Sequence, residues 1–258
     1  MSLDACAALV AKGDPDRYAA LLAAPLAARA RLLPLYAFNL EIARAPWVTQ
    51  EPMIAEMRLQ FWRDVVEAAA TGAPQRAHEV AGPMADLIRG TDLPVDVLDR
   101  LIDARRRDID RAPFSDPAAL VAYLDDTGGG LMWLAARALG ACAEVEPLAR
   151  SAGWATGLAA YLRAVPELEA RGRMPLVDGR PEAVADLARR GLARLDAARR
   201  GRGRVPATVR PAFFPARAAG VILRQAAREP GRVAAGTLAL PELSRRGGLL
   251  WLSLTGRW

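Results

Sequence analysis

Lysine and histidine are almost missing from this chain, and so are cysteine and any long uncharged run. Lys12 is the one lysine among 35 basic residues. With alanine so abundant, that excess of arginine looks like coding bias from GC-rich DNA, so a single arginine carries little functional meaning on its own. His78 is the only histidine, which argues against a histidine-rich metal site or a Ser-His-Asp hydrolase triad. It is expected as an ordinary helix residue. Cys6 and Cys142 are too few for a disulfide framework, so a reducing compartment is expected. No stretch of about eighteen uncharged apolar residues is present, so no transmembrane helix is expected. The N-terminus MSLDACAALVAKGD places Asp4 where a secretory signal would be basic. It also lacks the arginine- and serine-rich character of an organelle transit peptide. The expected location is the bacterial cytoplasm, at or peripheral to the inner face of the cell membrane.

What is present is helical pattern. At 258 residues, 52% of them hydrophobic, the chain can bury a sizeable core, as one large domain or two small ones. A net charge of +6 permits an acidic partner or an anionic membrane surface. Apolar residues recur at helical spacing in nearly every segment between breakers, and no alternating strand pattern appears. Helices are expected over residues 2–12, 16–24, 25–45, 53–71, 75–89, 95–110, 131–139, 147–165, 180–200 and 211–228. Pro34 should kink or split the third of these, and Gly128–Gly130 should break or kink a helix that starts at the Ser115-Asp116-Pro117 cap. RRGRGRVP at 199–206 reads as a linker. The pattern gives an all-α single domain over residues 1–258, a bundle of roughly ten helices.

Residues 153–173, GWATGLAAYLRAVPELEARGR, carry the most specific motif. Leu158, Leu162 and Val165 share a helix side, and Pro166 should end or bend the helix near Val165. The segment resembles the second signature helix of the squalene/phytoene synthase family, where an Asn-x-x-x-Asp-x-x-x-Asp ladder precedes Gly-Arg. Leu162, Arg163, Val165, Glu167, Gly172 and Arg173 match. The ladder positions themselves fall on Ala160, Ala164 and Leu168. Upstream, Tyr36-Ala37-Phe38-Asn39 and MRLQFWRD at 57–64 resemble the family's first aspartate-rich helix and its successor, with Trp62 and Arg63 matching. Here the aspartate positions fall on Ala43, Arg44 and Trp47. Asp108-Ile109, Tyr123 and the Thr127–Gly130 turn resemble a third family segment. The resemblance is strongest over residues 16–176 and implies an isoprenoid-synthase-type helical bundle around a central cavity.

The losses have a chemical meaning. Carboxylates four residues apart project from one helix face, and two facing ladders hold the Mg²⁺ ions that bridge a substrate diphosphate. Alanine, leucine, tryptophan and arginine cannot do this. The resemblance therefore implies the fold without its metal chemistry, and no cofactor is expected. Within the family, Phe38-Asn39, Glu41-Ile42-Ala43, Met57-Arg58 and Gln60-Phe61-Trp62 resemble most closely the branch containing the mitochondrial complex I assembly factor. That branch also lacks the aspartates. It implies a non-catalytic protein with a complex I subunit or assembly intermediate as partner, and a lipid or prenyl chain as a candidate ligand. Tyr36, Asn39, Glu41, Arg58, Gln60, Trp62, Arg63, Arg163, Glu167 and Arg173 are the candidate cavity or partner contacts.

The alternative reading is an active prenyltransferase of the squalene/phytoene type, with Mg²⁺ held by replacement ligands among Glu41, Glu167 and Asp126. Asp125-Asp126 is adjacent rather than four apart, and reads more simply as a helix end or solvated turn. Asp103, Asp108 and Asp110 lie among Arg105–Arg107 and Arg111 and suggest a salt-bridged exposed face. The arginine runs lack aromatic interleaving or a recognition-helix motif, so no nucleic-acid partner is expected. The tail around Leu249–Leu254, with Trp251 and Trp258 and flanked by Arg245, Arg246 and Arg257, is expected against the core, with peripheral membrane contact as the other outcome.

Overall fold

Proline and aspartate punctuate the chain into helices, and every regular element among the described residues is helical. The computed structural model describes residues 3–110 and 112–258, without the side chains of 242–246. Arg111 and the side chains of Arg245 and Arg246 thus lie outside the described residues. Helices α1 (Leu3–Gly13) and α2 (Pro15–Leu22) meet at Asp14. The Asp14 carboxylate accepts from the Arg17 backbone N–H at 3.0 Å, with Pro15 in the first helical position. The residue that stops one helix therefore caps the next. α3 (Leu26–Arg44) and α4 (Pro52–Thr71) follow, α4 ending at Gly72 with φ of +75°.

α5 (Ala81–Gly90) starts later than its periodicity suggests, and His78 lies in the loop before it. This corrects the helical placement of residues 75–80. The His78 ring nitrogen accepts from the Val80 N–H at 3.2 Å, and its ring packs 5.1 Å from that of Trp62. A side chain tied to its own backbone in this way favours a turn over a helix. α6 (Val95–Arg106) ends four residues before Asp110. α7 (Pro117–Leu124) begins at Asp116, whose carboxylate accepts from the Ala119 N–H at 2.8 Å.

α7 does not break at its glycines. It passes through a five-residue π turn, Asp125–Gly129, directly into α8 (Gly130–Ala138). The reason is a close approach to α9 (Glu146–Ala170): a Cβ on Gly128 would lie 2.5 Å from the Gly153 carbonyl oxygen and 2.8 Å from the Gly157 Cα. Asp125 and Asp126 lie in this turn, inside a continuous helix, instead of at a helix end. α9 is the central element, packing against α8, the π turn, α10 (Pro181–Arg200) and α11 (Ala216–Arg228). Its Trp154 is fully buried and donates its indole N–H to the Val121 carbonyl at 3.1 Å.

Two prolines sit inside helices that continue past them, Pro34 in α3 and Pro166 in α9. An interior proline costs about 3 kcal/mol. Leu32 and Leu35 around the first and Leu162 and Val165 before the second are buried, and that packing holds each helix through the lost hydrogen bond. The 199–206 stretch is likewise packed: α10 runs to Arg200, a short 3₁₀ turn covers Arg202–Arg204, and Val205 is buried.

After α12 (Gly231–Ala234), α13 (Glu242–Thr255) closes the chain. Leu252 and Trp258 are buried, Trp258 stacking on Phe213 at 4.5 Å, while Leu250, Trp251 and Leu254 face outward. No helix among the described residues is long and apolar enough to cross a membrane.

The two thiols differ in access. Cys6 is fully buried, and burial pushes its thiol up to about 11, whereas Cys142 is exposed. Iodoacetamide should label Cys142 in the native protein and leave Cys6 unmodified until denaturant is added; mass spectrometry of the labelled peptides checks this.

Candidate functional site

The positions that the resemblance aligns with the two aspartate ladders, Ala43, Arg44 and Trp47 with Ala160, Ala164 and Leu168, line one cavity. The i, i+4 spacing places Asn39, Ala43 and Trp47 along one side of the chain from α3 into the short 3₁₀ turn that follows it, with Arg44 beside them. On α9 the same spacing aligns Ala160, Ala164 and Leu168. All seven residues line a cavity of about 530 Å³, together with Glu167, Tyr161, Gly157 and the π-turn residues Thr127 and Gly128. Leu124 and Leu131 add apolar wall. The positions were marked in the sequence, and the fold brings them together.

The remaining candidate contacts divide sharply. Asn39 and Glu167 line the cavity. Tyr36 and Trp62 are core residues, 1% and 3% exposed, and Trp62 packs edge-on against Phe38 at 5.4 Å. Glu41, Arg58, Gln60 and Arg63 do not line the cavity. Gln60 donates to Asp64 at 2.8 Å, and Arg63 pairs with Asp103. Arg163 pairs across to Asp16 at 2.7 Å on the outside of α9.

Arg173 has a structural explanation. Gly172 takes φ of +74°, and the Arg173 N–H turns back to the Leu168 carbonyl at 3.0 Å, a left-handed helix stop. The turn sends the Arg173 guanidinium to the carbonyls of Asp108 and Asp110 and over the Trp47 ring at 4.8 Å. The Gly-Arg pair thus ties the end of α9 to the loop after α6 and to the chain after α3.

Two ion clusters in the cavity wall are absent from the sequence-level candidates. Arg17 pairs with Asp14 at 2.8 Å and lies over the Tyr36 ring at 4.8 Å. Burial works to raise the Asp14 carboxyl, but the charge and hydrogen bonds of Arg17, together with the charge of Arg163, outweigh it and hold the group below its ordinary value. Opposite, Arg105 donates to the Tyr123 hydroxyl at 2.8 Å and pairs with Asp108 at 3.4 Å, and the Tyr123 hydroxyl donates to Asp108 at 3.0 Å. Burial dominates here and drives Asp108 above its ordinary value against the pull of Arg105. The side chains of Arg105 and Asp108 are only 15% and 17% exposed, which corrects the exposed-face reading for this pair; Asp103, at 51%, does lie on the surface with Arg63 and Arg106. Their i, i+3 spacing was visible in the sequence, but spacing does not say which way a pair faces.

The donor set does not fit Mg²⁺. That ion needs several oxygen ligands in near-octahedral array. The cavity's three carboxylates are each committed to an arginine: Asp14 to Arg17, Asp108 to Arg105, and Glu167 to Arg171 at 2.5 Å. No group of three metal-binding side chains gathers anywhere among the described residues. Of the replacement ligands the prenyltransferase reading needs, only Glu167 reaches the cavity; Asp125 pairs with Arg150 at 3.4 Å, and Glu41 and Asp126 are elsewhere. The arrangement offers apolar wall to a molecule with an apolar part, and its arginine-paired carboxylates do not form the oxygen set that would seat Mg²⁺ against an allylic diphosphate.

Comparison with known proteins is consistent with this geometry. Three similar proteins are named NADH dehydrogenase (ubiquinone) complex I, assembly factor 6 or its homolog. The bovine one (Bos taurus) is 29% identical over 66% of this chain and 51% of its own length. The Homo sapiens protein is 28% identical over 62% and 48%, and the Drosophila melanogaster homolog 32% over 67% and 53%. The chain thus spans about half the length of these relatives. Among solved structures, squalene synthase HpnC from Alicyclobacillus acidocaldarius superposes with a TM-score of 0.75 at 19% identity, covering 88% of this chain and 93% of that one. A dehydrosqualene synthase in complex with ligand gives 0.67 at 13% identity, over 96% and 94%. At these identities the structures establish the fold. The squalene/phytoene synthase family model matches residues 10–177, so the chain belongs to that family.

Proposed function

We propose that this protein is a non-catalytic member of its family that assists assembly of respiratory complex I, acting at the inner face of the cell membrane on a complex I subunit or assembly intermediate. The observation that carries the reading is that two ladder faces, on separate helices, converge on one cavity with alanine, leucine, tryptophan and arginine where Mg²⁺ would need carboxylates. The relatives' name supplies the process. The intact fold then serves as a binding scaffold, with the cavity available to a lipid or prenyl chain. Peripheral membrane contact would fall to the outward Leu250, Trp251 and Leu254 of α13, beside the exposed Arg257.

Deleting the chain from its organism should sharply reduce assembled complex I, read by native gel electrophoresis with quantitative proteomics, and the wild-type chain should restore it. Unchanged complex I would sink the assembly role. The purified protein, given Mg²⁺ and farnesyl or geranylgeranyl diphosphate, should release no pyrophosphate above a heat-killed control; release would favour the prenyltransferase alternative.

A further inference from the structure

The charges on the cavity wall leave a remainder of one. Three of the four arginines lining it are tied to its three carboxylates, and the side chain of the fourth, Arg44, makes no hydrogen bond, ion pair or ring contact among the described residues. Asn39 lies on the same helix, about 7 Å along the axis. It is 8% exposed, it lines the cavity, and its side-chain amide makes no hydrogen bond among the described residues, so its NH₂ group is free to donate to an anion. The Nε of Arg105 is also buried without a partner. Buried polar atoms left unbonded are costly, so positions like these await a polar group from outside. Beyond them the wall is apolar, through Leu124, Leu131 and the alanines of both former ladders. A volume of about 530 Å³ suits one small or single-chain ligand.

We infer that the cavity binds a single-chain amphiphile with a singly charged anionic head, without a divalent metal, the head seated on Arg44 beside the Asn39 amide and the chain along the apolar wall. A diphosphate is disfavoured, since it brings several negative charges to one free guanidinium and no carboxylate cluster is there to hold a bridging cation. Carboxylate and phosphodiester heads share the required chemistry. The inference rests on the non-catalytic reading of the cavity.

Isothermal titration of the full chain with laurate, lysophosphatidylglycerol, dodecanol and farnesyl diphosphate, each with and without Mg²⁺, tests it. Binding of laurate or lysophosphatidylglycerol, unaffected by Mg²⁺, is expected, with dodecanol about tenfold weaker or more, the worth of one charge-assisted hydrogen bond. Binding of the first alone assigns a carboxylate head, and of the second alone a phosphodiester. Arg44→Gln should lose the same factor and Arg44→Lys should recover most of it. Arg44 is partly exposed and unpartnered, so both variants should fold. Asn39→Leu should weaken anion binding while raising the thermal midpoint, because it removes the unbonded amide. Dodecanol matching the anions, Arg44→Gln matching the wild type, or farnesyl diphosphate binding best and only with Mg²⁺ would each overturn the inference. Pyrophosphate appearing in the farnesyl diphosphate titration is a separate readout and would count against the non-catalytic reading instead.

Discussion

Gly153→Ala is expected to lower the thermal midpoint by about 4–12 °C, from a loss of about 2–3 kcal/mol. On propensity alone the change should help, since alanine in a helix interior is favoured over glycine by roughly 0.5–1 kcal/mol. Packing reverses the sign. A Cβ at this position would sit 2.4 Å from the Gly128 carbonyl oxygen, 2.8 Å from the Met132 Cβ and 2.9 Å from the Gly129 Cα. Two of those three atoms are backbone, and the backbone belongs to the π turn, so no side chain can swing away. α9 and the π turn must separate, and the separation reaches the cavity because Gly128 and Gly157 line it. Gly231→Ala is the control: it is also helical, has open space around it, and should be neutral or slightly stabilising. Equal thermal midpoints for the Gly153 variant and wild type would show that this contact does not hold the two helices at their spacing.

Asp108→Ala should cost about 3 kcal/mol, read as a shift in the urea midpoint at constant slope. The carboxylate is bonded by Arg105 and by the Tyr123 hydroxyl, and its removal strands a guanidinium that is 15% exposed. Breaking one half of a buried pair costs roughly 3–5 kcal/mol, and the residual exposure of both groups sets the expectation at the low end. Replacing both charges, with Arg105→Met and Asp108→Leu together, should recover much of the loss, since two desolvated charges are exchanged for apolar contact. A double variant as unstable as the single one would mean that the charges are needed for more than each other. The cavity makes that outcome informative, because Arg105 and Asp108 are part of its wall.

Much of the site was legible along the chain, because ladder positions are a matter of local spacing. Ala43, Arg44 and Trp47, with Ala160, Ala164 and Leu168, could be marked from the sequence, since residues four apart share a helix face wherever the helix lies. Arg173 and Trp62 were marked by the same motifs, and the structure gives them stabilising contacts: one fastens a helix end, the other fills the core. Gly13-Asp14-Pro15 reads as the close of the first helix, and the same aspartate, three residues ahead of Arg17, is also a readable cap for the second. Arg105 and Asp108 read as an exposed pair in the sequence, whereas the fold turns them inward. Nothing in an i, i+3 pair distinguishes an exposed pair such as Arg189–Asp186 from one turned inward, because the direction is set by the helices packed around it.

By itself the sequence determined that the chain is helical, where most helices begin, and which side-chain types stand at the aligned ladder positions. Those properties follow from capping residues, period and side-chain type, all of which act within a few residues. Only the tertiary structure decided the rest. Pro34 and Pro166 stay inside helices because buried neighbours outweigh a missing hydrogen bond, and Gly128 and Gly129 sit in a π turn where the backbone of α9 approaches within contact distance. The cavity's charge balance was also settled there. Each of the three paired arginines meets a carboxylate only three or four residues away, but it takes the packing of α1 to α3, α6 and α9 to bring those pairs and the unpaired Arg44 side chain to one wall.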